Sequence, residues 1–102
     1  MNTEFREGEV YFQVGYPDMK MLYPTIESLV FVGKNLSDED KEDTWYFQFA
    51  SSYGRVGSFL KTKKGDRRAV LATKRDLGEI FDLDELTAKL KAAAKRRRSS
   101  RK

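Results

Sequence analysis

The chain has 102 residues, of which 20 are basic and 16 acidic, with 13% aromatic residues and a formal net charge of +4. This length suits one domain with one core, and the aromatic content argues against general disorder. The sequence contains neither cysteine nor histidine, which excludes disulfides, thiolate or imidazole metal ligands and the commonest general base. We therefore expect a non-enzymatic protein that uses no metal and no cofactor.

The first half of the chain predicts two strands. Residues 10–16 alternate, with Val10, Phe12 and Val14 on one face, and the segment stops at Pro17. Residues 26–32 are also rich in β-formers, and both of their faces are apolar. A strand that is apolar on both faces is expected in the interior of a sheet.

A short apolar loop joins these two strands. It lies between two prolines, covers residues 19–23 and contains Met19, Met21 and Leu22. Methionine side chains adapt to irregular surfaces and are common in promiscuous binding sites. We expect the loop to pack over one end of the sheet, with partner binding through these three residues as the alternative.

The densest aromatic run, residues 44–50, predicts the central strand. In an extended chain Trp45, Phe47 and Phe49 leave on the same face, which is expected to point into the core. Five of the preceding seven residues, 37–43, are acidic. They predict a solvated loop, with protein binding as the next interpretation and no metal site, because the spacing does not fit an EF-hand.

A basic hairpin is predicted after the aromatic strand. Residues 51–57 contain two glycines and predict a bend, and residues 58–62 and 68–72 predict two short strands joined by a turn at Gly65 and Asp66. A ribbon that bears cations can lie along a nucleic acid and pair with its phosphates. The hairpin cations predicted to do so are Lys61, Lys63, Lys64, Arg67 and Arg68.

The C-terminal part changes to helical spacing. Residues 77–81 predict one or two short helical turns, and Asp82 and Glu85 have the spacing of a capping box that starts a longer helix. Leu83, Leu86 and Leu90 then form one apolar stripe. We expect this stripe to cover the aromatic face of the sheet.

The end of the chain is strongly basic. Residues 89–102 carry eight basic and no acidic residues, whereas most of the preceding chain is acidic. We predict a single domain over residues 1–95 and a disordered basic tail over residues 96–102, in which Arg96, Arg97 and Arg98 add to the attraction for nucleic acid. No apolar run approaches the ~20 residues that cross a bilayer, so we expect a cytoplasmic protein that does not insert into membranes.

Together these elements predict an α+β fold. Its mostly antiparallel, strongly curved sheet would have about five strands, as an SH3-like open barrel or an open sheet, covered by the C-terminal helix. Two functions remain open for such a binding module. The first is association with nucleic acid through the hairpin and tail, and the second is binding or regulation of a protein through the acidic loop 37–43 or the apolar loop 19–23.

Overall fold

The structure is a computed structural model that describes residues 5–61, 70–73 and 79–100. Its strands and helices are given in chain order, which ends with a long helix. They are β1 (Val10–Gly15), β2 (Thr25–Lys34), β3 (Trp45–Phe49), α1 (Ala50–Val56), β4 (Val70–Thr73), β5 (Ile80–Phe81) and α2 (Leu83–Ser100).

The strands form one antiparallel sheet in the order β4-β3-β2-β1-β5. Four strands make up most of it, since β5 adds only two residues, Ile80 and Phe81, beside β1. The described strands do not close on themselves, because β4 and β5 lie at opposite edges. The α+β class, the antiparallel sheet and the C-terminal helix are thus confirmed, whereas the SH3-like barrel and the count of about five full strands are not.

The aromatic face of β3 points into the core, as predicted. Phe47 has no exposed surface, and its ring lies 5.4 Å from that of Phe31 on β2. Trp45 and Phe49 are only half-buried at the border of the cluster. The buried members come from four strands and are Tyr11, Leu29, Phe31, Phe47 and Ile80.

Part of the cover over this cluster comes from the N-terminal segment. The ring of Phe5 lies 4.8 Å from that of Tyr11, 5.2 Å from Phe47 and 5.5 Å from Phe31, twice in an edge-to-face arrangement. The Arg6 amide also donates to the Tyr11 hydroxyl at 2.8 Å. The sequence analysis assigned no element to the residues before Val10, so the role of Phe5 in the core is a finding of the structure.

Helix α2 begins at the predicted capping box. The Glu85 amide donates to Oδ1 of Asp82 at 2.8 Å, and the Asp82 amide donates to Oε1 of Glu85 at 3.1 Å. Leu86 and Ala93 are buried, but Leu83 is exposed, and the helix packs mainly against β1 and β5. The leucine stripe therefore covers the β1–β5 edge rather than the Trp45 strand, which corrects the prediction.

Helix α2 is also longer than predicted. It continues to Ser100, so residues 96–100 are helical, whereas the sequence analysis expected a disordered tail from residue 96. Positive side chains in its last turn suit the helix dipole, which favours cations at that end. Among the described residues, no helix is both long and apolar enough to cross a membrane.

Helix α1 replaces the bend predicted after β3, and a turn replaces the first strand of the predicted hairpin. The buried Gln48 side chain donates to the Gly57 carbonyl at 3.0 Å and accepts from the Phe59 amide at 2.9 Å. The Gly57 carbonyl and the Phe59 amide are thus hydrogen-bonded to the Gln48 side chain and not to a neighbouring strand. Residues 59–61 form a turn. The only described part of the second predicted strand, β4, pairs with β3 instead.

The helical turn predicted over residues 77–81 is wrong for Ile80 and Phe81, which form strand β5. Ile80 pairs with Gln13 and Phe81 with Phe12 at the free edge of β1. The burial of Ile80 in the aromatic cluster accounts for the extended conformation, because tertiary packing overrides a weak local preference for helix. Residues 74–78 lie outside the described part of the chain.

Candidate functional site

The apolar loop between β1 and β2, residues 19–23, is called the methionine loop here. The carboxylate of Asp18 closes it, because it accepts the Leu22 amide at 2.7 Å and the Tyr23 amide at 2.9 Å. These bonds, that from Leu22 first, lower the pKa of Asp18 from its ordinary value. The Met21 amide also donates to the Asp18 carbonyl at 3.2 Å. The loop therefore has a defined backbone conformation.

Helix α2 holds the methionine loop from the other side. Nε of Arg96 donates to the Met21 carbonyl at 2.9 Å, and Nη1 of Arg97 donates to the Leu22 carbonyl at 2.7 Å. The Arg97 guanidinium also lies 5.9 Å from the centre of the Tyr23 ring. Arg96 and Arg97, which were predicted to lie in a basic tail, therefore contact a loop of the same chain.

The loop presents apolar side chains to solvent although its backbone is held. Met19 is fully exposed, and Met21 and Tyr23 are about half exposed, at 47% and 57%. Met21 also has φ of 57°, in the left-handed region that non-glycine residues rarely adopt. Strained backbone of this kind persists only where the surroundings enforce it, and it is common at binding sites.

Two hollows lie beside the methionine loop and share Ala92 and Arg96 of α2. The first has a volume of about 530 Å³ and lies between the loop, β5 and α2, with Tyr16 and Phe81 in its lining. The second, of about 600 Å³, lies further toward the C-terminus of α2 and includes Lys20 in its lining. Helix α2 therefore forms one wall of both hollows.

The outer face of α2 carries a separate row of cations. Lys91, Lys95 and Arg98 are exposed and follow one another at steps of four and three residues, which places them on one face of the helix. This cationic stripe lies opposite the buried Leu86 and Ala93. Its charges project away from the sheet.

The acidic loop 37–43 is more structured than the sequence predicted. The Tyr46 hydroxyl donates to the Asp40 carboxylate at 2.8 Å, and this bond raises the pKa of Tyr46. Asp43 accepts from Nδ2 of Asn35 at 3.2 Å and pairs with Lys34 at 3.3 Å, so its pKa is lowered, by the bond from Asn35 first. Two of its carboxylates therefore hold the loop rather than face a partner.

The predicted nucleic-acid-binding residues have different positions in the structure. Lys61 is exposed in the turn after α1, and Arg98 is exposed on α2, whereas Arg96 and Arg97 contact the methionine loop. The other predicted hairpin cations, Lys63, Lys64, Arg67 and Arg68, lie outside the described residues.

The predicted partner-binding residues Met19, Met21 and Leu22 lie together in the methionine loop, although Leu22 is half-buried. Sequence reasoning missed the residues that fix the loop: Asp18, Arg96 and Arg97. An aspartate before a short loop is a recognisable turn signal. The contacts of Arg96 and Arg97 had no such signal, because each joins residues 75 positions apart.

Comparisons of the chain with protein-family models, with curated proteins and with solved structures found no match. Within residues 5–61, 70–73 and 79–100, no three acidic side chains come together as metal ligands would. The described residues offer two surfaces of α2 for binding, the cationic stripe and the wall beside the methionine loop.

Proposed function

We propose that this protein is a small non-enzymatic binding module that associates with nucleic acid through the outer face of α2. The observation that carries the proposal is the exposed cationic stripe in a segment of chain, residues 89–102, that has eight basic and no acidic residues. Such a surface attracts phosphates, and binding releases the counterions that surround a nucleic acid.

The spacing of the stripe supports this proposal. Lys91 and Arg98 are seven residues apart on α2, which is about 10 Å along a helix that rises 1.5 Å per residue. Phosphates follow one another every ~3.4 Å along the axis of one strand of a duplex, so the stripe covers about three of them. Because the contacts are with the backbone, the expected binding depends little on base sequence.

The expected binding surface differs from the one predicted from the sequence. The sequence analysis relied on a hairpin and a disordered tail, whereas the proposal now relies on an ordered helix that holds its cations in a row. An ordered row loses less conformational entropy on binding than a flexible tail. Lys61 is exposed and adds to the positive charge of the molecule.

The test compares two triple variants that remove the same charge from different places. The first is Lys91→Gln/Lys95→Gln/Arg98→Gln, and the control is Arg6→Gln/Lys41→Gln/Arg55→Gln, whose three residues are also exposed. Fluorescence anisotropy with a labelled mixed-sequence duplex of about 20 base pairs gives the affinity at salt concentrations of about 50 to 200 mM.

The wild-type protein is expected to bind with an affinity that falls steeply with salt. A plot of log K against log salt has a negative slope, and each phosphate contact adds about 0.9 to its steepness. The stripe variant loses three cations, so its slope should be shallower than that of the wild type by up to about 3. The control should keep most of the slope. Absence of binding at low salt would contradict the proposal, and so would an equal loss in both variants, because net charge alone would then explain the binding.

A further inference from the structure

We propose that the methionine loop and the adjacent wall of α2 form a docking surface for an acidic segment of a partner protein that inserts a large apolar side chain. The inference goes beyond the proposed nucleic-acid binding and uses the adjoining face of α2, which shares Lys95 with the cationic stripe. It rests on three features of the described residues: exposed apolar side chains on a fixed backbone, hollows beside them, and an excess of positive charge around them.

The apolar part of the surface is preorganised. The backbone of the methionine loop is bonded to Asp18 on one side and to Arg96 and Arg97 on the other. Met19 and Met21 nevertheless remain exposed. A backbone that is already ordered loses less conformational entropy on binding, which leaves a larger share of the free energy of apolar burial for affinity.

The two hollows give an inserted side chain a place to lie. Val14, Met21 and Phe81 provide apolar lining in the first hollow, and Leu22 and Ala92 do so in the second. Their volumes of about 530 and 600 Å³ exceed that of a single large side chain. They leave room for a large apolar side chain together with the neighbouring residues of its segment.

The charges around the surface favour an acidic partner. The lining includes four cations and only two carboxylates; one carboxylate, Asp18, is bonded to loop amides, and one cation, Arg96, is bonded to the Met21 carbonyl. Glu79 is the other carboxylate. The cations are Lys20, Lys89, Lys95 and Arg96. Acidic side chains on a partner would complement this excess and steer its approach.

The aromatic rings of this surface argue for a protein segment over a nucleic acid. Stacking of bases needs a free aromatic face. The Arg96 guanidinium lies 5.6 Å from the centre of the Tyr16 ring, and that of Arg97 lies over Tyr23. With one face of each ring covered in this way, the most exposed side chain of the loop is Met19, and methionine packs well against aliphatic and aromatic residues.

The experiment is a selection from a random peptide library displayed on phage, with the full chain as the target. Peptides that also bind the Met19→Ser/Met21→Ser variant are removed in a parallel selection. We expect the enriched peptides to carry Asp or Glu next to Leu, Phe or Trp. Enrichment of basic or purely polar peptides, or of none, would overturn the proposal.

A selected peptide is then synthesised, and its affinity is measured for three variants by fluorescence anisotropy. Met19→Ser/Met21→Ser should weaken binding at least about tenfold, which corresponds to the loss of a dominant apolar contact. Lys20→Gln/Lys89→Gln should weaken it less, with a reduced dependence on salt. The control Val56→Ser/Leu83→Ser, which removes two exposed apolar side chains elsewhere, should bind like the wild type.

Sedimentation velocity of the protein alone tests whether a second copy of the chain, and not a partner protein, occupies this surface. A monomer, or an oligomer that persists in the Met19→Ser/Met21→Ser variant, agrees with an external partner. Dissociation of an oligomer by that variant would show that a second copy of the chain covers the surface, and it would overturn the proposal. The Met variant should also bind the labelled duplex like the wild type, so failure of either proposal is visible independently of the other.

Discussion

Single polar side chains fix the course of the backbone at several points of this small fold. Gln48 is the clearest case, because it is almost completely buried and bonds to Ser52, Gly57 and Phe59. A buried amide is costly unless all its groups are paired, and here both its nitrogen and its oxygen are paired. Its bonds end α1 and direct the chain into the following turn.

Replacement of Gln48 by leucine is therefore expected to destabilise the protein strongly. The change leaves the buried Ser52 hydroxyl and the part-buried Gly57 carbonyl and Phe59 amide without the partners they have now. A fully buried unsatisfied group costs about 1–3 kcal/mol, and a part-buried one costs toward the lower end of that range. We expect a loss of about 2–5 kcal/mol in the free energy of unfolding, measured by urea denaturation. Gln13→Leu on the half-buried face of β1 is the control and should change stability much less.

Glycine is needed where β2 bulges. At Gly33 the pairing with β3 shifts its register, and φ is 156°. A Cβ at this position would lie 2.8 Å from Cδ2 of Leu36, closer than real contacts allow. The bulge bends the end of β2 toward the acidic loop, so a backbone requirement at one residue positions a whole connection.

At the scale of elements, the two ends of α2 are fixed in different ways. Its first turn is closed by the local capping box of Asp82 and Glu85, whereas its last turns are held by Arg96 and Arg97 on a distant loop. A local cap depends on a few neighbouring residues and is visible in the sequence. A distant contact depends on the whole fold.

The contribution of the cap can be measured with three substitutions. Asp82→Ala removes the acceptor for the Glu85 amide and is expected to lower the free energy of unfolding by about 1 kcal/mol. Asp82→Asn keeps an acceptor there and should cost much less. Asp84→Ala removes a first-turn charge of α2 without changing the cap. If Asp84→Ala were as costly as Asp82→Ala, the helix dipole and not the cap would explain the effect.

At the scale of the whole molecule, stability should depend on pH through carboxylates that the fold has placed beside donors. The pKa values of Asp18 and Asp43 are lowered in the folded protein. A lowered pKa stabilises the fold above the unfolded value of ~3.9, and this stabilisation is lost as the pH falls through the folded value. The pKa of Tyr46 is raised in the folded protein. Its hydroxyl therefore stabilises the fold below the unfolded pKa of about 10, and this stabilisation is lost as the pH rises through the folded value.

The acid side of this dependence can be tested with Asp18→Asn. The variant loses the charge that the Leu22 and Tyr23 amides stabilise, so its melting temperature should lie below that of the wild type at pH 7. The difference should shrink as the pH falls below the unfolded pKa of ~3.9 and through the lower pKa of the folded protein, where the wild-type carboxylate becomes protonated. The same substitution at the exposed Asp38 serves as the control. A difference that stays constant with pH would contradict the assignment.

The methionine loop and α2 also show how distant parts of the chain depend on each other. The arginines that would have extended a flexible tail hold a loop near the other end of the chain, and the same loop holds the helix. Lys91, Lys95 and Arg98 form a row of exposed cations on the same helix, with Lys95 at the border of the second hollow. Both proposed binding surfaces therefore depend on the position of α2.

The sequence by itself determined the features that depend on neighbouring residues. The extended conformation of β1 and β3 and the burial of Phe47 followed from a side-chain period of two, although Tyr11 and not Val10 or Phe12 enters the aromatic cluster. The start of α2 followed from the spacing of Asp82 and Glu85. The methionine loop was also visible as an apolar stretch between prolines. These signals are local, so one segment carries each of them.

Only the tertiary structure decided where these elements pack. Phe5 covers the aromatic cluster, α2 lies along β1 and β5, and Gln48 turns the chain after α1. The carbonyls of the methionine loop select Arg96 and Arg97 from a uniformly basic segment. Each of these outcomes depends on which groups the fold brings together across long separations in sequence, and neither periodicity nor composition contains that information.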